Sequence, residues 1–195
     1  MKVTSKRSVQ NGAPVSARLG IWAFLATELL LFGGLFTVYA VFRLSYPDLF
    51  HQQHLKLNRL MGALNTFLLL TSSLSMAVGI AAIRKGRQRI LKAALAVTLA
   101  LAAAFLCIKY LEWSEDFSHG LFPSSNLFFG LYFMMTGLHG LHIFFGMLVM
   151  VWLLVRTQRG EFSADYNAPV EITGLYWHFV DLVWIYLFPL LYLIG

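Results

Sequence analysis

The chain has 195 residues and a single cysteine, Cys107, which lies inside an apolar run. One cysteine excludes a disulfide within the chain and any cysteine-based zinc or iron–sulfur site. Charge is scarce as well: Asp, Glu, Lys and Arg together make up 12% of the residues, and only nine of them are acidic. No hydrophilic segment is long enough for a separate domain, and no internal repeat is visible. There is no phosphate-binding glycine loop, no serine nucleophile elbow and no zinc-protease motif. What fills the sequence instead is apolar: 58% of the residues are hydrophobic. Several apolar runs exceed 18 residues, the pattern of an integral membrane protein. The formal net charge of +6 would suit nucleic acid in a soluble chain. In a membrane chain it reads as basic loops facing the cytoplasm, and no nucleic-acid partner is expected.

The hydropathy predicts an all-α bundle of five transmembrane helices, residues 19–195, behind a cytoplasmic tail of residues 1–18. The spans run over about 19–44, 60–83, 90–111, 127–155 and 172–194, each long enough to cross as a helix. Tyr46-Pro47-Asp48, Arg84-Lys85-Gly86-Arg87, the stretch Gly120–Asn126 and the stretch Arg159–Pro169 separate them. The first run, about 23 residues, is too long for the core of a cleavable signal peptide, and no small-residue cleavage site follows it. Lys2, Lys6, Arg7 and Arg18 share a side with Arg84, Lys85, Arg87, Arg89, Lys92, Arg156 and Arg159. The other side has Arg43, Lys56 and Arg59, and Lys109 falls within the third span. Eleven against three places the N-terminus in the cytoplasm and the C-terminus outside, the periplasm in a bacterium.

Four polar features sit at membrane depth. Glu28 lies about 13–14 Å past Leu19, near the middle of a ~30 Å hydrocarbon layer, with no basic residue in its run. A charged carboxylate there costs about 2.5–3.5 kcal/mol or more, so it needs a partner, a proton or a function. Asp181 in the last span lies at a similar depth. For both acids, two readings stand: a helix-packing hydrogen bond, or a direct part in proton or lipid handling. His139 and His142 are three apart and predicted to share a face. Their readings are metal or haem ligation and interhelical hydrogen bonding, with Thr136 and Gly140 as a small-residue step that admits another backbone. His178 and Asp181, also three apart, are placed to pair, and Tyr176 and Trp177 read as an interfacial aromatic belt. No nucleophile accompanies them, and no catalytic residue is assigned. The last feature, at the outer end of the third span, is Lys109, Tyr110, Glu112, Trp113, Glu115 and Asp116 with His119. Lys109 and Glu112 are placed to pair, and the acids read either as a solvated helix end or as a lure for a basic partner. Gly33, Gly34, Gly62, Gly130, Gly137, Gly140 and Gly146 mark places for close helix packing.

Four segments, in order, resemble subunit III of the haem–copper terminal oxidases: Ile21–Phe36, with Glu28 on the family's intramembrane Glu; Lys109–Trp113, with Glu112 on the usual Glu; Thr136–Gly146, with Gly137, His139, Gly140, His142 and Gly146; and Tyr176–Phe188, with Trp177, His178 and Asp181. The resemblance covers nearly all of residues 19–195 and is closest to the short, five-helix form of bacterial cytochrome c oxidase subunit III. The long form has two further helices, which make one arm of a lipid-filled cleft; here another subunit would have to supply that arm. The resemblance implies a non-catalytic subunit in the bacterial cytoplasmic membrane. It would carry no haem, copper or other metal of its own and would hold phospholipid. It would pack on subunit I, beside subunit II, supporting proton uptake and sustained turnover. Haem and copper belong to the partner subunits, and cytochrome c meets the chain only through the complex. Subunit III of a quinol oxidase and an accessory protein of nitric oxide reductase are the related alternatives. The Glu at position 28 favours the cytochrome c type. From another class, a transporter or a membrane b-type cytochrome remains to be tested.

Overall fold

The computed structural model describes residues 15–194, with side chains from residue 19. Lys2, Lys6 and Arg7, which enter the charge count above, lie outside them. The described residues form six α-helices and no strand. These are α1 (Val15–Ser45), α2 (Pro47–His54), α3 (Arg59–Arg84), α4 (Gln88–Ser118), α5 (Leu127–Gln158) and α6 (Ala168–Phe188). A π-helical turn, Pro189–Leu193, continues α6. Five of the helices are long and apolar enough to cross a membrane: Leu19–Ser45, Arg59–Arg84, Gln88–Ser118, Leu127–Gln158 and Ala168–Leu193.

The breaks follow local chemistry. Asn58 and Asn126 cap α3 and α5, accepting hydrogen bonds from the backbone N–H of Met61 and Phe129. At the end of α3 the chain must turn with a positive φ, and Gly86 supplies it (φ 70°). Arg87 N–H then donates to the Ala82 carbonyl at 2.9 Å, closing the helix end. Tyr46-Pro47-Asp48 ends the first span as predicted but also begins α2, because proline suits a first helical position. Phe50 of α2 is fully buried and packs edge-on against Tyr39 and Phe128, so this short helix plugs one end of the bundle. At the other terminus Pro189 has no N–H to continue the ladder. The turn widens there, Ile194 N–H reaches the Pro189 carbonyl at 3.0 Å, and the Leu190 carbonyl accepts from the Tyr39 hydroxyl at 3.0 Å.

Packing is uneven. The antiparallel pair α3–α4 is the tightest, with Ser75 and Thr98 donating across it to the carbonyls of Ala94 and Ser72. α6 fills the centre, its Trp177 and Trp184 fully buried and hydrogen-bonded to Ser72 and Thr66 of α3. α1 is peripheral: 11% of its most apolar stretch is buried, against 44% in the last span. The glycines divide accordingly. A Cβ on Gly146 would meet the Trp177 ring at 2.9 Å, and one on Gly62 would meet Phe188 at 2.9 Å. Gly33 and Gly34 on α1 have open space around them, contrary to expectation: Gly33 lines a cavity between α1 and α6, and Gly34 is exposed. Gly140 has only an ordinary contact, 3.9 Å to the Leu106 side chain, and Thr136 bonds within its own helix to Tyr132. The expected backbone approach at that small-residue step is therefore absent. Trp113 covers the neighbouring Gly137 instead.

Candidate functional site

Glu28 has a partner. His142 Nε2 lies 2.8 Å from Glu28 Oε2, joining α1 to α5 across 114 positions. The other ring nitrogen, Nδ1, is 2.8 Å from the Leu138 carbonyl one turn back. A carbonyl only accepts, so Nδ1 carries a hydrogen. The contact with Glu28 then holds one proton, in one of two arrangements. Either the carboxylic acid donates to a bare Nε2, or an imidazolium donates to the carboxylate. Phe32 packs edge-on against the imidazole at 5.3 Å, and the Tyr176 hydroxyl donates to the His142 carbonyl at 3.0 Å. Three helices thus fix the pair. Both side chains are largely buried, 14% and 13% exposed. Two apolar cavities, each about 290 Å³, flank it: one between Phe24, Phe145, Val149 and Tyr176, the other between Phe32, Phe36, Phe179 and Tyr186.

His139 does not join this site. It is fully buried, stacks on Trp184 at 5.2 Å and meets Phe105 edge-on at 5.8 Å, and both its ring nitrogens lack partners. Residues three apart differ by about 60° around a helix. At this crowded junction that sends His142 to α1 and His139 toward α4 and α6, so the predicted common face splits. Nor do His178 and Asp181 pair. His178 Nδ1 sits 2.6 Å from the Ser73 hydroxyl of α3. Asp181 is 3% exposed, and neither of its oxygens has a hydrogen-bond partner, although the Ser73 hydroxyl lies near it. The Phe24–Tyr176 and Phe36–Tyr186 contacts bracket Glu28 and Asp181, which puts the two acids at one level of the bundle. The interfacial-belt reading fails for Trp177, which is fully buried over Gly146, and for Tyr176, which braces His142. Both side chains point into helix contacts that their sequence neighbours do not reveal.

The end of α4 departs furthest from expectation. Lys109 and Glu112 do pair, at 3.0 Å, but in the interior. Lys109, Glu112 and Asp116 are 4%, 1% and 5% exposed, so neither a solvated end nor a docking lure describes them. Lys109 Nζ also donates to the hydroxyls of Tyr132 at 3.0 Å and Tyr192 at 2.6 Å. Both tyrosines donate to Glu112 Oε1. Tyr132 and Tyr192 were not anticipated. The signal for the cluster was present: positions 109, 112 and 116 follow the three–four spacing of one helix face. Of that group Tyr110, Glu115 and His119 stay exposed. Among the described residues, no group of three or more His, Cys, Asp or Glu side chains is placed to hold a metal ion, and Cys107 is free and exposed.

Comparison with known proteins extends this picture. The chain is 37% identical to cytochrome c oxidase subunit 3 of Synechocystis sp. over 185 residues, 94% of this chain and 78% of that protein. It is 34% identical to cytochrome c oxidase subunit 3 of Thermostichus vulcanus, covering 90% of this chain and 86% of the relative. It is also 29% identical to cytochrome bo(3) ubiquinol oxidase subunit 3 of Buchnera aphidicola, covering 90% and 85%. With five apolar helices and relatives that are terminal-oxidase subunits, this is a multi-pass membrane protein. The family model for cytochrome c oxidase subunit III matches residues 4–195, and the chain belongs to that family.

Proposed function

We propose that this chain is the non-catalytic third subunit of a proton-pumping terminal oxidase that takes electrons from cytochrome c. It packs on the haem- and copper-bearing subunit I, beside subunit II, in the cytoplasmic membrane of a bacterium. Its N-terminus lies inside and its C-terminus outside, as the basic loops favour. The observation that carries this reading is the Glu28–His142 contact: a proton-holding pair in mid-membrane, on the least covered helix, in a chain of the subunit III family. The pair serves a neighbour, supporting proton uptake and sustained turnover in subunit I. Asp181 is a packing acid at the same level. Glu112, Gly137, His139, Gly146, Trp177 and His178 hold the helix interfaces, while Thr136 and Gly140 lie beside them on α5. The apolar cavities beside the pair suit phospholipid acyl chains.

Purification in mild detergent tests this reading. The chain should co-elute with a large subunit containing haem and copper, and the complex should oxidise reduced cytochrome c. Elution as a stable monomer would overturn it, and so would a Soret band from the isolated chain. The Buchnera relative supports a second reading, a quinol oxidase subunit. A purified complex that oxidises quinol but not cytochrome c would establish that one. Liposomes holding this chain alone should show no ion flux; a flux would favour a transporter.

A further inference from the structure

The buried cluster at the end of α4 has one acid more than it can balance. Lys109, Glu112 and Asp116 share one face and meet Tyr132 of α5 and Tyr192 of the π-helical turn. An ammonium has three N–H donors, and all three are spent: on Glu112 Oε2 at 3.0 Å, Tyr132 at 3.0 Å and Tyr192 at 2.6 Å. The Tyr192 hydroxyl donates to Glu112 Oε1 at 2.6 Å. One donor remains, the Tyr132 hydroxyl, with three acceptors in reach: Glu112 Oε1 at 3.0 Å, the Tyr192 oxygen at 3.3 Å and Asp116 Oδ2 at 3.4 Å. Asp116 therefore receives, at best, a long bond from a hydroxyl that has a nearer partner. The charges leave the same remainder. Lys109 and Glu112 offset each other, and an ionised Asp116 would add a buried negative charge with Glu112 and Glu115 of its own helix close by.

We propose that this cluster is a proton-binding site: it holds one exchangeable proton, carried on Asp116 and shared with the Tyr132 hydroxyl. With the proton bound, Asp116 O–H donates to the Tyr132 oxygen, and the Tyr132 hydroxyl donates to Glu112 Oε1. When the proton leaves for solvent, the Tyr132 hydroxyl turns to Asp116 Oδ2. Asp116 lies two residues before the end of α4 at Ser118, and its neighbour Glu115 is exposed, so exchange takes place at this end of the bundle. The site is distinct from the Glu28–His142 pair and does not depend on which oxidase the chain serves.

Infrared spectroscopy of the full-length chain in lipid nanodiscs, with aspartate labelled by 13C at its side-chain carboxyl, tests the proposal. Asp48 and Asp165 are exposed, which leaves Asp116 and Asp181 as the buried aspartates among the described residues. In the Asp181→Asn protein a protonated-carboxyl stretch should remain. It should move with the label and downshift in D2O, and it should disappear when Asp116→Asn is added. The Asp181→Asn change keeps an oxygen that can accept from the nearby Ser73 hydroxyl, so this background decides the matter even if Asp116→Asn does not fold. At about pH 6, where exposed aspartates such as Asp48 and Asp165 are ionised, absence of a labelled carboxylic-acid band from folded Asp181→Asn protein would overturn the proposal, as would its persistence in folded Asp116→Asn protein.

Discussion

His142 limits what Glu28 can be. With Nδ1 tied to its own helix, the imidazole has only Nε2 to offer, and the carboxyl group opposite shares one proton with it whichever side carries that proton. Glu28→Gln keeps a group that can donate to Nε2, so its thermal midpoint should stay near wild type. Glu28→Leu leaves a largely buried ring nitrogen unpartnered and should cost about 1–3 kcal/mol, read as a lower midpoint. Gly146→Ala should cost about 1–3 kcal/mol through overpacking. The ring it would strike, Trp177, cannot step aside without losing its bond to Ser72; a midpoint equal to wild type would refute that. Glu28 is legible in the sequence as an energetic anomaly. Its partner is not, because α5 is apolar on every side and no periodicity tells which face meets α1. His178 and Asp181 teach the same lesson: three-residue spacing makes a pair possible, but Ser73 on another helix took the histidine.

Among the helices, hydropathy finds the five crossings, and Asn, Pro and Gly mark most of their ends. It stops α4 too early. Lys109, Glu112 and Asp116 read as departure from the membrane, yet the helix continues to Ser118 because their polar groups are satisfied inside the bundle. A hydropathy window counts charges and cannot see that two tyrosines, 20 and 80 positions beyond Glu112, close around them. Lys109→Met should therefore be among the most destabilising single changes in the chain, about 3–5 kcal/mol, since it strands a buried carboxylate. Replacing both members, Lys109→Met with Glu112→Met, should recover much of that loss. Thermal unfolding in detergent measures both; a double variant no better than the single one would show that the loss comes from packing rather than from the unpaired charge. The short α2 was legible only as a break, because a proline that ends one helix also starts another.

Taken whole, the described residues form a tight core of α3 to α6 with α1 held at its edge. Such a helix suits a place between this chain and a neighbour. If the basic loops face the cytoplasm, a cysteine at Ser163, in a Cys107→Ser background, should react with an impermeant maleimide only after cells are opened. One at Ser124 should react in intact cells. The reverse pattern would invert the topology. Subunit III membership was legible from motifs spread along the chain; the partner of Glu28 and the buried α4 cluster required the folded structure. The most direct test of the account is to replace Glu28 with Ala in the purified oxidase and measure haem content and proton-coupled turnover over time. Haem content should match wild type while coupled turnover falls or decays sooner. Unchanged turnover, or haem lost in step with activity, would contradict the claim that this buried acid acts on chemistry in another polypeptide.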